Sequence, residues 1–186
     1  MCVRYIRCGS GGRALRTDKR KAVDNMGLFD KIFGKKLDEI GAPVAGEAVP
    51  SGQVNDPTFG EEMLGRGMAI KPTVGRVVAP CDATVDMMFE TGHAVSLTTD
   101  FGAELLIHVG IDTVNLQGKH YTVHCKNGDK VKKGQLLIEF DKDAIAEEGY
   151  DTITPVVVCN SDDFKTFETE TGKVVAEGDA VIKLAK

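Results

Sequence analysis

From Ile40 onward the apolar positions come in short runs rich in β-branched residues, and Gly, Pro, Asn or Asp interrupts them every few positions. Such runs read as strands closed by turns. The pattern places strands at 42–49, 68–72, 75–79, 83–89, 93–98, 103–109, 121–125, 135–140, 154–159, 173–176 and 180–184. Two stretches depart from it. Residues 142–148 follow Asp141, a good N-cap, and residues 162–169 follow Asn160 and Ser161, so both are expected as short helices. Many short strands with few helices predict an all-β fold, an antiparallel β-sandwich or barrel.

Upstream the pattern changes. In residues 26–36, Leu28, Phe29, Ile32 and Phe33 fall at helical spacing, with Lys31, Lys35 and Lys36 around them. This is a short basic amphipathic leader. It suits peripheral contact with a membrane surface, or equally a leader resting on the domain. Residues 1–25 carry no apolar period and hold seven Lys and Arg against two Asp. They read as a disordered basic extension, with Met26 able to serve as a start. The division is therefore 1–25 extension, 26–40 leader and 41–186 domain.

One segment repeats. Gly128–Phe140 (GDKVKKGQLLIEF) aligns without gaps on Gly172–Leu184 (GKVVAEGDAVIKL), with Val131 on Val175 and Ile138 on Ile182. Ala42-Pro43 and Ala79-Pro80 each open a run as well. These echoes predict a duplicated β motif about a pseudo-twofold.

Charge and cysteines narrow the class. The net charge is −5 at pH 7, so no global basic field favours nucleic acid. Five scattered cysteines form no CxxC pair, as expected of reduced thiols in a cytoplasmic protein. The apolar runs are too short to cross a bilayer as helices.

The chemistry concentrates in 91–116, TGHAVSLTTDFGAELLIHVGIDTVNL, where His93 and His108 each sit at the end of a strand-like run. A hairpin turning at Asp100-Phe101 brings both imidazoles to one end. Two registers compete. An even loop pairs His93 with His108 directly. A three-residue Asp100-Phe101-Gly102 loop pairs Leu97 with Leu105 and Val95 with Ile107, a better apolar match. That register puts the histidines on opposite faces unless a bulge intervenes. Side-by-side imidazoles therefore require an even turn or a bulge. A neutral imidazole is a nucleophile near pH 7, and a second one can hydrogen-bond the oxygens of a transferring phosphoryl group. His120 and His124 flank a strand-like Tyr121-Thr122-Val123, where they would lie about 13 Å apart, at about 3.3 Å per residue. They read as structural.

Phe89-Glu-Thr-Gly-His93-Ala and Glu104-Leu-Leu-Ile-His108-Val-Gly-Ile-Asp112-Thr-Val strongly resemble the glucose-specific IIA component of the bacterial phosphoenolpyruvate-dependent sugar phosphotransferase system. HVGID is that family's signature. Gly65–Pro72, Val78-Ala-Pro80, Gly128–Asp141 and Thr154–Val158 also match, and the likeness spans residues 26–186. The resemblance implies an antiparallel β-sandwich with a duplicated motif. It implies that His108 accepts a phosphoryl group from the histidine-containing phosphocarrier protein and passes it to a cysteine on the IIB domain of a sugar permease. His93 would hold that group, Thr91 would steady His93, and the Gly110 carbonyl would fix the His108 tautomer. Phe59, Met63, Leu64, Phe89, Leu106 and Val114 match the apolar docking rim, and Asp56 and Asp112 match acids that meet arginine on partners. Regulated enzymes or transporters are further partners of some members. The resemblance implies no intrinsic metal, and a zinc ion only where a partner shares His93 and His108. Departures are mild: Gly92 stands for a more polar residue, Leu106 for an aromatic, and Met63 and Leu64 for β-branched residues.

A zinc-dependent hydrolase of related duplicated β fold is the alternative. It would need a close His-x-His pair and an Asp ligand near His93, which the sequence lacks. A biotinyl- or lipoyl-like carrier would need a modified lysine in a tight turn, also lacking.

Overall fold

The computed structural model describes residues 37–186; the basic extension and leader residues 26–36 fall outside them. Among the described residues fourteen strands form three antiparallel sheets. The large sheet holds, in spatial order, β13 (Lys173–Val175), β2 (Gly46–Pro50), β3 (Arg66–Pro72), β11 (Thr154–Val158), β7 (Glu104–His108), β6 (Ala94–Thr99), β5 (Ala83–Met88) and β9 (Lys130–Val131). One small sheet is β1 (Asp38–Gly41), β14 (Ala180–Ala185) and β12 (Thr166–Thr169); the other is β4 (Arg76–Val78), β10 (Leu136–Phe140) and β8 (Tyr121–Val123).

Alternation along the strands divides the large sheet into two faces. Met68, Ile70, Leu97, Leu105, Ile107 and Val156 join Ile182, Leu184, Leu137 and Ile138 of the small sheets in one main core. The small sheets thus cover the inner face, which makes a sandwich, and the all-β expectation holds. Ala69 and Val157, one position out of phase, face outward. There they pack with Val49, Val54, Phe59 and Ile153 in a second cluster that Leu106 and Ile111 adjoin. This outer cluster is the floor of the site described below.

The duplicated motif repeats its hydrogen bonds as well as its sequence. Gly134 N–H donates to Ala79 O and Ala79 N–H to Gln135 O, both at 2.8 Å. In the second copy Gly178 N–H donates to Ala42 O at 2.9 Å and Ala42 N–H to Asp179 O at 2.8 Å. Gly134 and Gly178 share a φ near 83–84°. The two Ala-Pro segments therefore occupy equivalent places, each clamped by one copy of the glycine turn.

Two expectations need correction. Asp38–Gly41 lies at the leader end of the proposed boundary, yet it is β1, paired to β14 with Ile40 buried; the domain starts before residue 41 because its C-terminal strand recruits this segment. The second expected helix is a 3₁₀ turn at Ser161–Asp163 followed by β12. Pairing of Phe167 with Leu184 and Thr169 with Ile182 overrides the local cap signal there. The first expected helix does form as α2 (Lys142–Glu147), with the Asp141 carboxylate accepting from Ala144 N–H.

Candidate active site

The odd register is the one adopted. Val95 pairs with Ile107 and Leu97 with Leu105, without a register shift. Gly102 closes the loop at φ 82°, donating to Thr99 O at 2.9 Å. Yet the imidazoles are neighbours, with ring centroids 4.8 Å apart and planes at 77°. Neither an even turn nor a bulge is needed, because His93 stands one residue before β6, in the bend after Thr91-Gly92. Its backbone still joins the ladder, since Val109 N–H donates to His93 O at 2.7 Å. The pleat that would turn its side chain inward does not extend to it. His108, by contrast, takes the outer face in step with Leu106.

Each ring is held at Nδ1. His108 Nδ1–H donates to Gly110 O at 2.7 Å, which leaves Nε2 unprotonated in the neutral ring. His93 Nδ1 and Thr91 Oγ1 are hydrogen-bonded at 2.5 Å. Gly110 makes its contact possible. Its φ is 78°, and an added Cβ would lie 2.6 Å from Thr113 Cγ2 and 2.8 Å from Asp151 O. Only glycine fits that turn without displacement.

The walls are apolar. Phe59 lies 5.1 Å from His108 and Phe89 5.4 Å from His93, centroid to centroid. Phe59 is placed by the short helix α1 (Pro57–Gly60), where Asp56 caps Phe59 N–H. His93 is only 5% exposed. Burial, then the neighbouring His108, pushes its pKa down to about 4. Burial also lowers the His108 pKa; the Gly110 carbonyl and the Asp56 and Asp112 carboxylates partly oppose this. Both rings are therefore neutral near pH 7.

The remaining residues expected at the site are spread around this centre. Leu106 adjoins the outer cluster. Asp112, at φ 58°, opens a 3₁₀ turn at Thr113–Leu116 on which Val114 is exposed. Met63, 70% exposed, and Leu64 follow α1 and project into solvent. His120 and His124 stay outside the centre, bound to Glu148 at 2.7 Å and Glu139 at 2.6 Å. Among the described residues no three His, Cys, Asp or Glu cluster as a metal site.

Sequence reasoning missed several neighbours. Ile111, Ile153 and Val157 build the outer cluster. Thr113 donates its hydroxyl to Val109 O at 2.6 Å, and Tyr121 does so at 3.1 Å. Met87 is exposed opposite Ser96, while Met88 packs on the main core. A bulge between Val85 and Met87 causes this change of parity.

Residues 38–164 match the family model of the phosphoenolpyruvate-dependent sugar phosphotransferase system, EIIA 1. The chain belongs to that family. The glucose-specific EIIA component of Haemophilus influenzae is 39% identical over 166 residues, covering 87% of this chain and 100% of that protein. That of Oceanobacillus iheyensis is 44% identical over 143 residues, 74% of this chain and 87% of that protein. The beta-glucoside-specific EIIBCA component of Dickeya chrysanthemi is 50% identical over 136 residues, but the match spans only 22% of that longer protein. The solved glucose permease IIA from Mycoplasma capricolum superposes with a TM-score of 0.76 at 31% identity, covering 81% of this chain and 97% of that one. An EIIA family member is a phosphotransferase component, a phosphocarrier in sugar uptake. The zinc-hydrolase alternative finds no support among these relatives. No helix among the described residues is long and apolar enough to cross a membrane.

Proposed function

We propose that His108 is the residue that carries the phosphoryl group. The observation behind this reading is the Gly110 carbonyl on His108 Nδ1, which leaves Nε2 as a neutral nucleophile beside a second buried imidazole. In the first step His108 Nε2 attacks the phosphorus of the phosphohistidine on the histidine-containing phosphocarrier protein. A new N–P bond forms as the donor's N–P bond breaks. In the second, the thiolate of a IIB-domain cysteine attacks the same phosphorus, and His108 Nε2 leaves.

His93 holds the group in transit. With the Thr91 hydroxyl donating to Nδ1, His93 Nε2 keeps its proton and donates to a phosphoryl oxygen. Phe59, Phe89 and Leu106 exclude water, which would hydrolyse the phosphohistidine. Met63, Leu64 and Val114 give an exposed apolar rim, and Asp56 and Asp112 set acidic points for arginine on a partner. The EIIBCA organisation of the Dickeya chrysanthemi relative supports a IIB domain as acceptor. Transfer would take place in the cytoplasm, with the same face open to regulated enzymes or transporters. A zinc ion at such an interface would take two ligands, His93 and His108, from this chain and the others from the partner.

The test is transfer of label from phosphoenolpyruvate through the first enzyme of the system and the phosphocarrier protein. Wild type should gain acid-labile phosphate. His108→Ala should gain none. His93→Ala should gain label but fail to pass it to a IIB domain. A labelled His108→Ala chain would overturn the assignment.

A further inference from the structure

We propose that the Tyr121 hydroxyl is a positioning group for the histidine pair, tying the turn after His108 to the turn before His93. This rests on the phosphocarrier reading and adds a residue to it. Tyr121 is on β8, in the small sheet, and belongs to neither histidine strand. Its hydroxyl donates to Val109 O at 3.1 Å, and the Thr113 hydroxyl donates to that same oxygen at 2.6 Å. The carbonyl is thus saturated by two side chains.

The peptide they hold is strategic. On one side, Val109 N–H donates to His93 O at 2.7 Å. On the other, Gly110 N–H donates to Ile153 O at 3.1 Å, and the next carbonyl, Gly110 O, receives His108 Nδ1–H. Anchoring Val109 O therefore fixes the peptide plane from which the tautomer-setting carbonyl is hung. Tyr121 also supports the other histidine. A Cβ added to Gly92 would lie 3.1 Å from Tyr121 Cβ and 3.0 Å from Val123 Cγ2, so the turn that delivers His93 rests on β8. Phe140 backs the ring, stacked at 6.4 Å and 28°. With the ring held from behind, the hydroxyl has a fixed direction. Burial raises the Tyr121 pKa, which keeps the phenol protonated and donating.

Tyr121→Phe separates the two contributions. It keeps the ring, its stacking and the support of Gly92, leaves Thr113 on Val109 O, and deletes one donor. Two readouts apply: the rate of labelling of His108, and the 15N resonances of its imidazole, which require no phosphoryl donor. The variant should fold. Its labelling rate should drop roughly three- to tenfold, the size of one hydrogen bond. The His108 Nδ1 and Nε2 resonances should move toward each other as the tautomer becomes less fixed. Unchanged resonances or an unchanged rate would overturn the proposal. So would failure to fold, since the hydroxyl would then serve the fold rather than the site. If wild type itself takes no label, the phosphocarrier reading fails, and the imidazole resonances alone still decide whether Tyr121 sets the tautomer.

Discussion

Gly110→Ala probes the turn on which the proposed chemistry depends. Alanine at φ 78° sits in the left-handed region, which costs about 1–2 kcal/mol. Its Cβ would also meet Thr113 Cγ2 at 2.6 Å and Asp151 O at 2.8 Å. Neither neighbour gives easily. Thr113 is buried with its hydroxyl committed to Val109 O, and Asp151 O accepts Ile111 N–H at 2.9 Å. Forcing the methyl in adds an overpacking cost of about 1–3 kcal/mol. The total of roughly 2–5 kcal/mol is within what a domain can lose and still fold in the cold. The strain is relieved by moving the 110–111 peptide, which carries the acceptor for His108 Nδ1–H. Labelling by the phosphocarrier route should therefore collapse in a chain that still shows a cooperative urea transition. Gly134→Ala is the control. Its φ is 83° and nothing lies within 4 Å of the added Cβ, so it carries the backbone strain without the collision. It should lose about 1–2 kcal/mol and label normally. If Gly110→Ala matched Gly134→Ala in both urea midpoint and labelling rate, the role given to the Gly110 carbonyl would be wrong.

Further outcomes follow from the same geometry. The His93 pKa falls from 6.5 to about 4 on folding, so between those values the unfolded chain binds the extra proton; stability should decline as pH drops from about 6.5 to 4 and level off below, by at most about 3 kcal/mol. Urea midpoints across that range should show the slope in wild type and a flatter one in His93→Gln. The bulge in β5 predicts that Met88→Ala costs about 2 kcal/mol while Met87→Ala stays within about 0.5 kcal/mol; simple alternation from Val85 predicts the reverse order, and thermal unfolding distinguishes them. Phe59→Ala removes a ring from the outer cluster and from the face of His108. It should cost about 3 kcal/mol and shorten the lifetime of phosphohistidine, read as faster loss of label after the donor is removed.

Much of this was legible because the informative signals are local. Val95, Leu97, Leu105 and Ile107 alternate cleanly, and their pairing chose the register that the apolar match favours. The glycine echo between residues 128–140 and 172–184 reported a real duplication, because each glycine turn must clamp an Ala-Pro segment. What was misread depends on partners distant in sequence. Asp38–Gly41 lacks the marks of a strand and becomes one only because Ala180–Leu184 lies beside it. Residues 162–169 carry a helix start signal that pairing with β14 cancels. A bulge such as the one beside Met87 leaves no mark in composition.

The site shows the same division between local and distant causes. The two histidines were readable from their strand-like runs, and their Nδ1 partners, Thr91 for His93 and Gly110 for His108, were what the family resemblance implied. The conflict between register and chemistry was not, because it assumed that His93 obeys the pleat of β6. Gly92 ends that obligation one residue earlier, and β8 receives the resulting bend. The strand that carries Tyr121 is thus what allows an odd hairpin to present both imidazoles on one side. Tyr121 lies thirteen residues beyond His108 in an unremarkable sequence, and it meets the site through the carbonyl of Val109 and the turn at Gly92. In the proposed phosphocarrier the freedom to tune the site rests with residues of this kind, which hold the backbone rather than the phosphoryl group.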